Sequence, residues 1–96
     1  MTALAATVRD NDTAHRYELL LDGEVVGELV YRKQGEVVTL IHTEVAAELE
    51  GRGLGEQLVA GALDDIRAGG LHIVPLCPFV GAYLRRHPED VDLVQS

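Results

Sequence analysis

The sequence has 96 residues, of which 47% are hydrophobic and 25% are charged, a composition typical of one globular domain. Its formal net charge is −8, and its basic residues are no more concentrated than in pairs such as Arg85-Arg86, which argues against a nucleic-acid partner. The acidic charge favours a cationic substrate such as an amine, through electrostatic steering rather than through chemistry.

Cysteine and histidine usage excludes further classes. Cys77 is the only cysteine, so an internal disulfide is impossible, and the four histidines are too scattered to predict a metal site. The first residues lack a basic flank before an apolar stretch, and no apolar run approaches the roughly 18 residues of a membrane span. We therefore expect a cytoplasmic protein without a membrane segment.

The first half of the chain alternates β-prone runs with turn signals. A favoured two-residue hairpin turn is expected at Asp22-Gly23, and a second turn at residues 33–35. A weaker turn signal, Asn11-Asp12, follows the first run. The runs predict an antiparallel meander, with strands over residues 5–9, 16–21, 24–31 and 36–45.

After Val45 the hydrophobic period changes from strand to helix. Apolar residues recur every fourth position from Leu54 to Ile66, which predicts an amphipathic helix that ends at Gly69-Gly70. Residues 71–76 then form a predicted strand, parallel to the strand that ends at Val45 because a helix connects the two.

A short second helix is predicted from Pro78 to His87, and residues 90–94 either add a last strand or fray. The predicted fold is α/β (α+β) in one domain over residues 1–96. Its mixed sheet consists of the antiparallel meander followed by a βαβ unit, with the short second helix after it.

Glycines 51, 53 and 55 lie between the fourth strand and the first helix. Glycine lets the backbone approach a ligand closely, and the free N–H groups of a first helical turn attract anions such as phosphate. A flexible loop that only turns the chain is the alternative. No Lys-Ser/Thr pair ends the run as in a P-loop, the spacing is not G-x-G-x-x-G, and a meander rather than a parallel strand precedes the glycines.

This order of elements, together with Glu50-Gly-Arg-Gly53-Leu-Gly55, resembles the GNAT N-acetyltransferase superfamily, whose cofactor motif is commonly written Q/R-x-x-G-x-G/A. The resemblance covers residues 16–88. The short length, with Pro-Leu-Cys-Pro-Phe-Val and the His-Pro-Glu ending, resembles a compact stand-alone branch that lacks the helical pair between the first two strands. One position departs from the motif, because Glu50 replaces Gln or Arg; either Arg52 compensates for its charge or Glu50 points to solvent.

The resemblance implies that acetyl-coenzyme A lies where the strand ending at Val45 and the strand over residues 71–76 splay apart. The pyrophosphate would bind at the helix N-terminus and the pantetheine arm would hydrogen-bond like an added strand. Arg52, Arg85 and Arg86 are further candidates for phosphate contacts, or simply solvated charges. The implied cofactor-binding residues are Thr43, Val45, Glu50, Gly51, Arg52, Gly53, Leu54, Gly55, Cys77, Pro78 and Tyr83.

Direct attack of an amine on the thioester requires a base, donors for the oxyanion and an acid for the leaving thiolate. Glu44, or His42 through a water, is the candidate base; spaced by two, they share one strand face, which is alternatively only solvated. Tyr83 is the implied acid, or a core aromatic beside Phe79. Cys77 shapes the pocket, accepts the acyl group or relays a proton, or is a small buried hydrophobe.

Two functions follow from this interpretation. The first is an N-acetyltransferase that transfers acetyl from acetyl-coenzyme A to an amine of a small molecule or a protein, as a monomer or a homodimer. The second is a non-catalytic module that binds acyl-coenzyme A or another protein. Because the helical pair is missing, the acceptor site is expected to be open or to be completed by a partner.

Overall fold

The computed structural model describes residues 6–95, which form a five-stranded mixed sheet with two helices. The spatial order of the strands follows the chain, β1-β2-β3-β4-β5; β1 to β4 are antiparallel neighbours, and β5 runs parallel to β4. This confirms the predicted fold. The strands are β1 (Ala6–Asn11), β2 (Arg16–Leu21), β3 (Glu24–Gln34), β4 (Val37–Val45) and β5 (His72–Pro75); the helices are α1 (Leu54–Ala68) and α2 (Pro78–Arg86), and 3-10 turns span Ala47–Leu49 and Pro88–Leu93.

The two hairpins differ in how well the sequence predicts them. Asp22 and Gly23 have φ values of 51° and 80° between the paired residues at the ends of β2 and β3, as expected for the two-residue turn. The prediction for the second turn was wrong by two residues. Lys33 and Gln34 continue β3, because they pair with β4, so the turn consists of Gly35 and Glu36.

At its N-terminal end, the sheet begins with β1, which runs to Asn11 and pairs with β2. The predicted first strand started at Ala5, which lies outside the described residues. The connection from β1 to β2 spans residues 12–15 and contains no helix, in line with the compact branch that the resemblance implied.

Both helices pack on one face of the sheet. The buried side of α1 and the buried residues of α2 belong to the same hydrophobic cluster as Leu19, Leu29, Leu40 and Ile73 of the strands. The alternate side chains on the opposite face are more exposed, with the exception of the buried Glu18. Within the described part of the chain, neither helix is long and apolar enough to cross a lipid bilayer.

The C-terminal segment is neither a full strand nor frayed. After the 3-10 turn, Val94 forms a single parallel bridge with Ile73, and the Gln95 N–H donates to the Ile73 carbonyl at 2.9 Å. Arg67 of α1 holds the same segment through Asp90 and Asp92, at 3.2 and 2.8 Å. The segment therefore lies along the outer edge of β5.

A β-bulge divides β4 into two halves. Tyr31 of β3 pairs with Leu40 and Val30 pairs with His42, so Ile41 has no opposite residue. We call residues 37–40 the paired half, because β3 and β5 flank them, and residues 41–45 the free half, because β5 pairs with β4 only as far as Leu40. The Cys77 N–H donates to the Leu40 carbonyl at 2.9 Å, where the two strands part.

The bulge also reverses which side chains face the helices. In the paired half Val38 and Leu40 are buried in the core. Without a bulge the same alternation would bring His42 to the core side. Instead Thr43 contacts Cys77, and Val45 packs against the core cluster. His42 and Glu44, on the opposite face of the sheet, are exposed.

Candidate active site

The glycine-rich turn adopts a conformation that requires glycine at two positions. Gly51 and Gly53 have φ values of 82° and 74°, in the left-handed region that other residues rarely adopt. No atom lies within 4 Å of a Cβ built at either position, so the space above them is open. At Gly55, in contrast, a Cβ would lie 2.8 Å from the Phe79 ring, which means that α2 packs closely there.

The N-terminus of α1 has no side-chain cap. Gly53 occupies the N-cap position, and the first backbone hydrogen bond runs from the Gln57 N–H to the Gly53 carbonyl at 3.1 Å. The N–H groups of residues 54–56 therefore have no acceptor within the helix. Such groups, together with the positive end of the helix dipole, form an anion-binding site.

A cavity of about 740 Å³ joins this helix end to the free half of β4. The start of β3, the glycine-rich turn and two residues of α2 complete its walls. Seven of the predicted cofactor-binding residues line it: Thr43, Val45, Glu50, Gly51, Gly53, Leu54 and Gly55. Four others lie outside its lining: Arg52, Cys77, Pro78 and Tyr83.

Several lining residues were not assigned to this cavity from the sequence. The wall formed by β3, residues 25–28, follows from the register that places Glu28 opposite Glu44, and that register depends on the bulge at Ile41, for which the sequence has no local signal. The sequence suggests Phe79 only as a core aromatic, but its side chain is partly exposed at the cavity wall. From the sequence, Arg52, Arg85 and Arg86 are equal candidates for phosphate contacts, and of the three only Arg86 lines the cavity.

The cavity wall is rich in carboxylates: Glu28, Glu44, Glu50 and Glu56. Glu28 pairs with Arg16 at 2.8 Å, and Glu56 pairs with Arg86 at 2.8 Å. Glu50 is exposed and makes no ion pair within residues 6–95. The expected solvent exposure of Glu50 is confirmed, and Arg52 forms no ion pair with it among the described residues.

His42 and Glu44 contact each other on the open face of the sheet. The distance from His42 Nε2 to Glu44 Oε1 is 3.2 Å, and the side chains are 58% and 70% exposed. The free half of β4 thus presents an imidazole with a carboxylate partner, accessible from solvent. This pair matches the general requirement for a base that is oriented by a neighbouring group.

Thr43 and Cys77 form a second pair, on the helix side of the same strand segment. Thr43 Oγ1 lies 3.2 Å from Cys77 Sγ, and the thiol residue is buried. Cys77 is the N-cap of α2 and Pro78 is its first residue, so the helix start fixes the position of the sulfur. Because Thr43 lines the cavity, Cys77 is one contact removed from it.

Tyr83 occupies a different hollow. Its ring stacks on His87 with the centroids 4.0 Å apart, and together with Glu56, Gln57 and Ala60 these rings line a separate space of about 280 Å³. Burial, followed by nearby carboxylates, raises the pKa of Tyr83 above its ordinary value, so the phenol stays protonated at neutral pH. Tyr83 is also part of the buried core cluster, which agrees with its alternative interpretation as a core aromatic.

The arrangement suits an elongated ligand with an anionic group at one end. The anion would bind at the α1 N-terminus, and an extended arm would follow the free half of β4, which has no strand partner on that side among the described residues. The far end of such an arm would lie between the His42–Glu44 pair and the Thr43–Cys77 pair.

Comparisons with known proteins agree with this architecture. The model of a family described as GCN5-related N-acetyl-transferase matches residues 16–93. The NMR solution structure of a GCN5-like protein of Staphylococcus aureus, proposed to be an N-acetyltransferase, superimposes with a TM-score of 0.68 at 21% identity, over 100% of this chain and 92% of the other. The structural likeness supports the fold, and the family model covers most of the chain.

Proposed function

Because the chain belongs to the GCN5-related N-acetyltransferase family, we propose that it transfers the acetyl group of acetyl-coenzyme A to an amine by direct attack. The observation that carries this proposal is the single cavity that connects the uncapped N-terminus of α1 with the free half of β4. Its volume of about 740 Å³ falls within the range of ligand cavities, roughly 300–1,000 Å³.

The residues of the cavity fit the chemical parts of acetyl-coenzyme A. The N–H groups of residues 54–56 would hold the pyrophosphate, with Gly51 and Gly53 leaving room for its approach. The unpaired edge of the free half would bind the amide groups of the pantetheine arm in the manner of an added strand. When bound, acetyl-coenzyme A supplies the activated thioester.

For the acceptor, we propose His42 as the general base and Glu44 as its partner. The imidazole takes a proton from the amine, and the carboxylate stabilises the imidazolium ion that results. The amine nitrogen forms the new bond to the acetyl carbon while the carbon–sulfur bond breaks. Backbone N–H groups along the free half are the available donors for the oxyanion.

Two residues compete for the role of acid toward the leaving thiolate. Cys77 is connected to the cavity through Thr43, which favours it, whereas Tyr83 opens to the hollow beside His87. Cys77→Ala is therefore expected to slow coenzyme A release more than Tyr83→Phe, by about tenfold or more. Equal and negligible effects would remove both residues from the mechanism.

A binding titration with acetyl-coenzyme A tests the cofactor site. Wild-type protein is expected to bind, Gly53→Asp to bind at least about tenfold more weakly than Gly53→Asn, and the two variants to have similar stability. Both side chains tolerate the left-handed conformation and have nearly the same shape, so only the charge at the helix end differs. Absence of binding by the wild type would refute the proposal.

The open face around His42 and Glu44 supports a second candidate, a binding module without catalysis. Both side chains are highly exposed, and a small amine would find few walls there. Release of coenzyme A measured across a panel of amines and lysine peptides separates the two. Turnover with any acceptor establishes the transferase; binding without turnover across the panel favours the module.

A further inference from the structure

Arg86 is the one positively charged residue in the cavity lining, judged over residues 6–95. It is the last residue of α2, and its Nη2 contacts Oε2 of Glu56 at 2.8 Å. Glu56 lies in the first turn of α1, beside the N–H groups that have no acceptor within the helix. The ion pair thus links α2 to α1 at the anion-binding end of the cavity.

The Arg86–Glu56 pair is poorly suited to a purely structural role. The two side chains are 58% and 44% exposed and share one short contact, and such surface pairs contribute little to stability. Only Nη2 of the guanidinium is engaged with Glu56, so donors remain on the other nitrogens. Glu56 accepts only one hydrogen bond from Arg86, whereas a phosphate can accept two parallel ones, so a phosphate can form the more extensive contact.

Neighbouring arginines do not share this position. Arg85 precedes Arg86 on α2, and a helix turns successive side chains by roughly 100°, so the two side chains lie on different sides of α2; Arg85 is exposed and outside the cavity lining. Arg52, within the glycine-rich turn, is also exposed and outside the lining. Arg85 therefore provides a control of the same charge, one residue away.

We propose that Arg86 binds the pyrophosphate of the ligand and that Glu56 competes for Arg86, so that ligand binding exchanges the Arg86–Glu56 pair for an Arg86–phosphate pair. The role assigned to the coenzyme rests on the proposed function. Arg86 thereby adds to the N–H groups at the start of α1 in favouring a phosphorylated ligand, in a cavity whose other charged lining residues are all acids.

The experiment measures dissociation constants for acetyl-coenzyme A, its 3′-dephospho form, S-acetylpantetheine and inorganic pyrophosphate. Arg86→Gln is expected to weaken binding of both coenzyme forms and of pyrophosphate by about tenfold, and Arg85→Gln by less than about twofold. S-acetylpantetheine, which has no phosphate, is expected to bind Arg86→Gln and wild type equally. Loss of the Arg86 effect with the dephospho form would overturn the assignment to the pyrophosphate.

Competition by Glu56 predicts a gain of affinity. Glu56→Gln is expected to tighten acetyl-coenzyme A binding by about threefold, and Glu48→Gln, an exposed acid outside the cavity lining, to leave it unchanged. In the Arg86→Gln background the gain should shrink, because Glu56 no longer competes for Arg86 and only its repulsion of the phosphates is removed. A gain that persists undiminished there would overturn the exchange.

Failure of this inference differs from failure of the proposed function. If wild type binds acetyl-coenzyme A and Arg86→Gln behaves like Arg85→Gln, the role of Arg86 is refuted while the cofactor site stands. If wild type binds pyrophosphate through Arg86 but does not bind acetyl-coenzyme A, the phosphate site stands and the transferase proposal falls. Absence of binding by both probes refutes both.

Discussion

The two halves of β4 share a strand but have different roles. In the paired half, strands flank both edges, and Val38 and Leu40 are fully buried beneath the helices. In the free half only β3 is a neighbour, and the candidate base pair, His42 and Glu44, is exposed. A strand can therefore lie in the core over one stretch and border an open cavity over the next, provided that its second partner strand ends between them.

Truncating a side chain of β4 should reduce the free energy of unfolding most, and only in the paired half should the reduction be large. Leu40→Ala is expected to reduce the free energy of unfolding by about 2–5 kcal/mol, because it deletes a fully buried side chain. Ile41→Ala, at the 39% exposed bulge position, is expected to cost less than about 1 kcal/mol. Urea unfolding of both variants checks the contrast, and similar losses would contradict it.

Loss of the base should affect the free half without affecting stability. His42→Gln is expected to lower kcat by about 100-fold and to leave the dissociation constant of acetyl-coenzyme A unchanged, since a positioned general base contributes roughly that much. His72→Gln is the matched control, because His72 is an exposed histidine at the start of β5. Equal rates for the two variants would exclude His42 as the base.

The face of the sheet that carries the exposed Glu44 also carries a buried carboxylate, Glu18. Glu18 lies across from Glu28, which lies across from Glu44, so the three share one side of the sheet. Yet the Glu18 side chain is only 1% exposed, and hydrogen bonds from Asn11, Arg16 and Arg9 lower its pKa to about 2. Its charge is held by the fold, whereas that of Glu44 is open to a substrate.

This difference has a pH signature. Because the folded-state pKa of Glu18 is below its ordinary value of 4.5, the stabilisation is present above pH 4.5 and is lost as pH falls toward 2. Wild type should be more stable than Glu18→Gln at neutral pH, and the difference should shrink by about 3 kcal/mol across that window. Thermal unfolding at several pH values checks this, and parallel curves would contradict it.

The smallest expected effect concerns the acid at the first position of the glycine motif. Glu50 lines the cavity without an ion-pair partner among the described residues, so Glu50→Gln should tighten acetyl-coenzyme A binding by about twofold through reduced repulsion. Glu48→Gln, two residues earlier and outside the cavity lining, should not change it. Weaker binding by Glu50→Gln would mean that Glu50 contributes a contact to the ligand.

Much of the fold was predictable because local signals and topology agree. The Asp22-Gly23 turn, the change of period after Val45 and the glycines that end α1 each indicate one element, and a helical connection requires β5 to be parallel. One end of the cavity, at the start of α1, was predictable from the glycine-rich turn. Its position at a helix start is a local property, so the sequence predicted it without the tertiary structure.

The bulge at Ile41 and the position of Arg86 at the cavity were not predictable in the same way. The run around Ile41 is uniformly β-prone and contains no glycine, so nothing local indicates the extra residue. The choice among Arg52, Arg85 and Arg86 depends on how α2 packs against α1. Such orientations follow from tertiary packing, which residue spacing along the chain does not determine.

Because Ile41 is the extra residue of the bulge, β4 does not tolerate the loss of a residue at this position. Deleting this one residue would restore strict alternation along β4, turn Thr43 away from Cys77, and direct His42 and Glu44 toward the helices. A deletion there would therefore exchange the two sides of the free half, although it removes only an aliphatic side chain at the surface. Natural variation in length is expected instead in the connection over residues 12–15, where a gain or loss of residues alters no strand register.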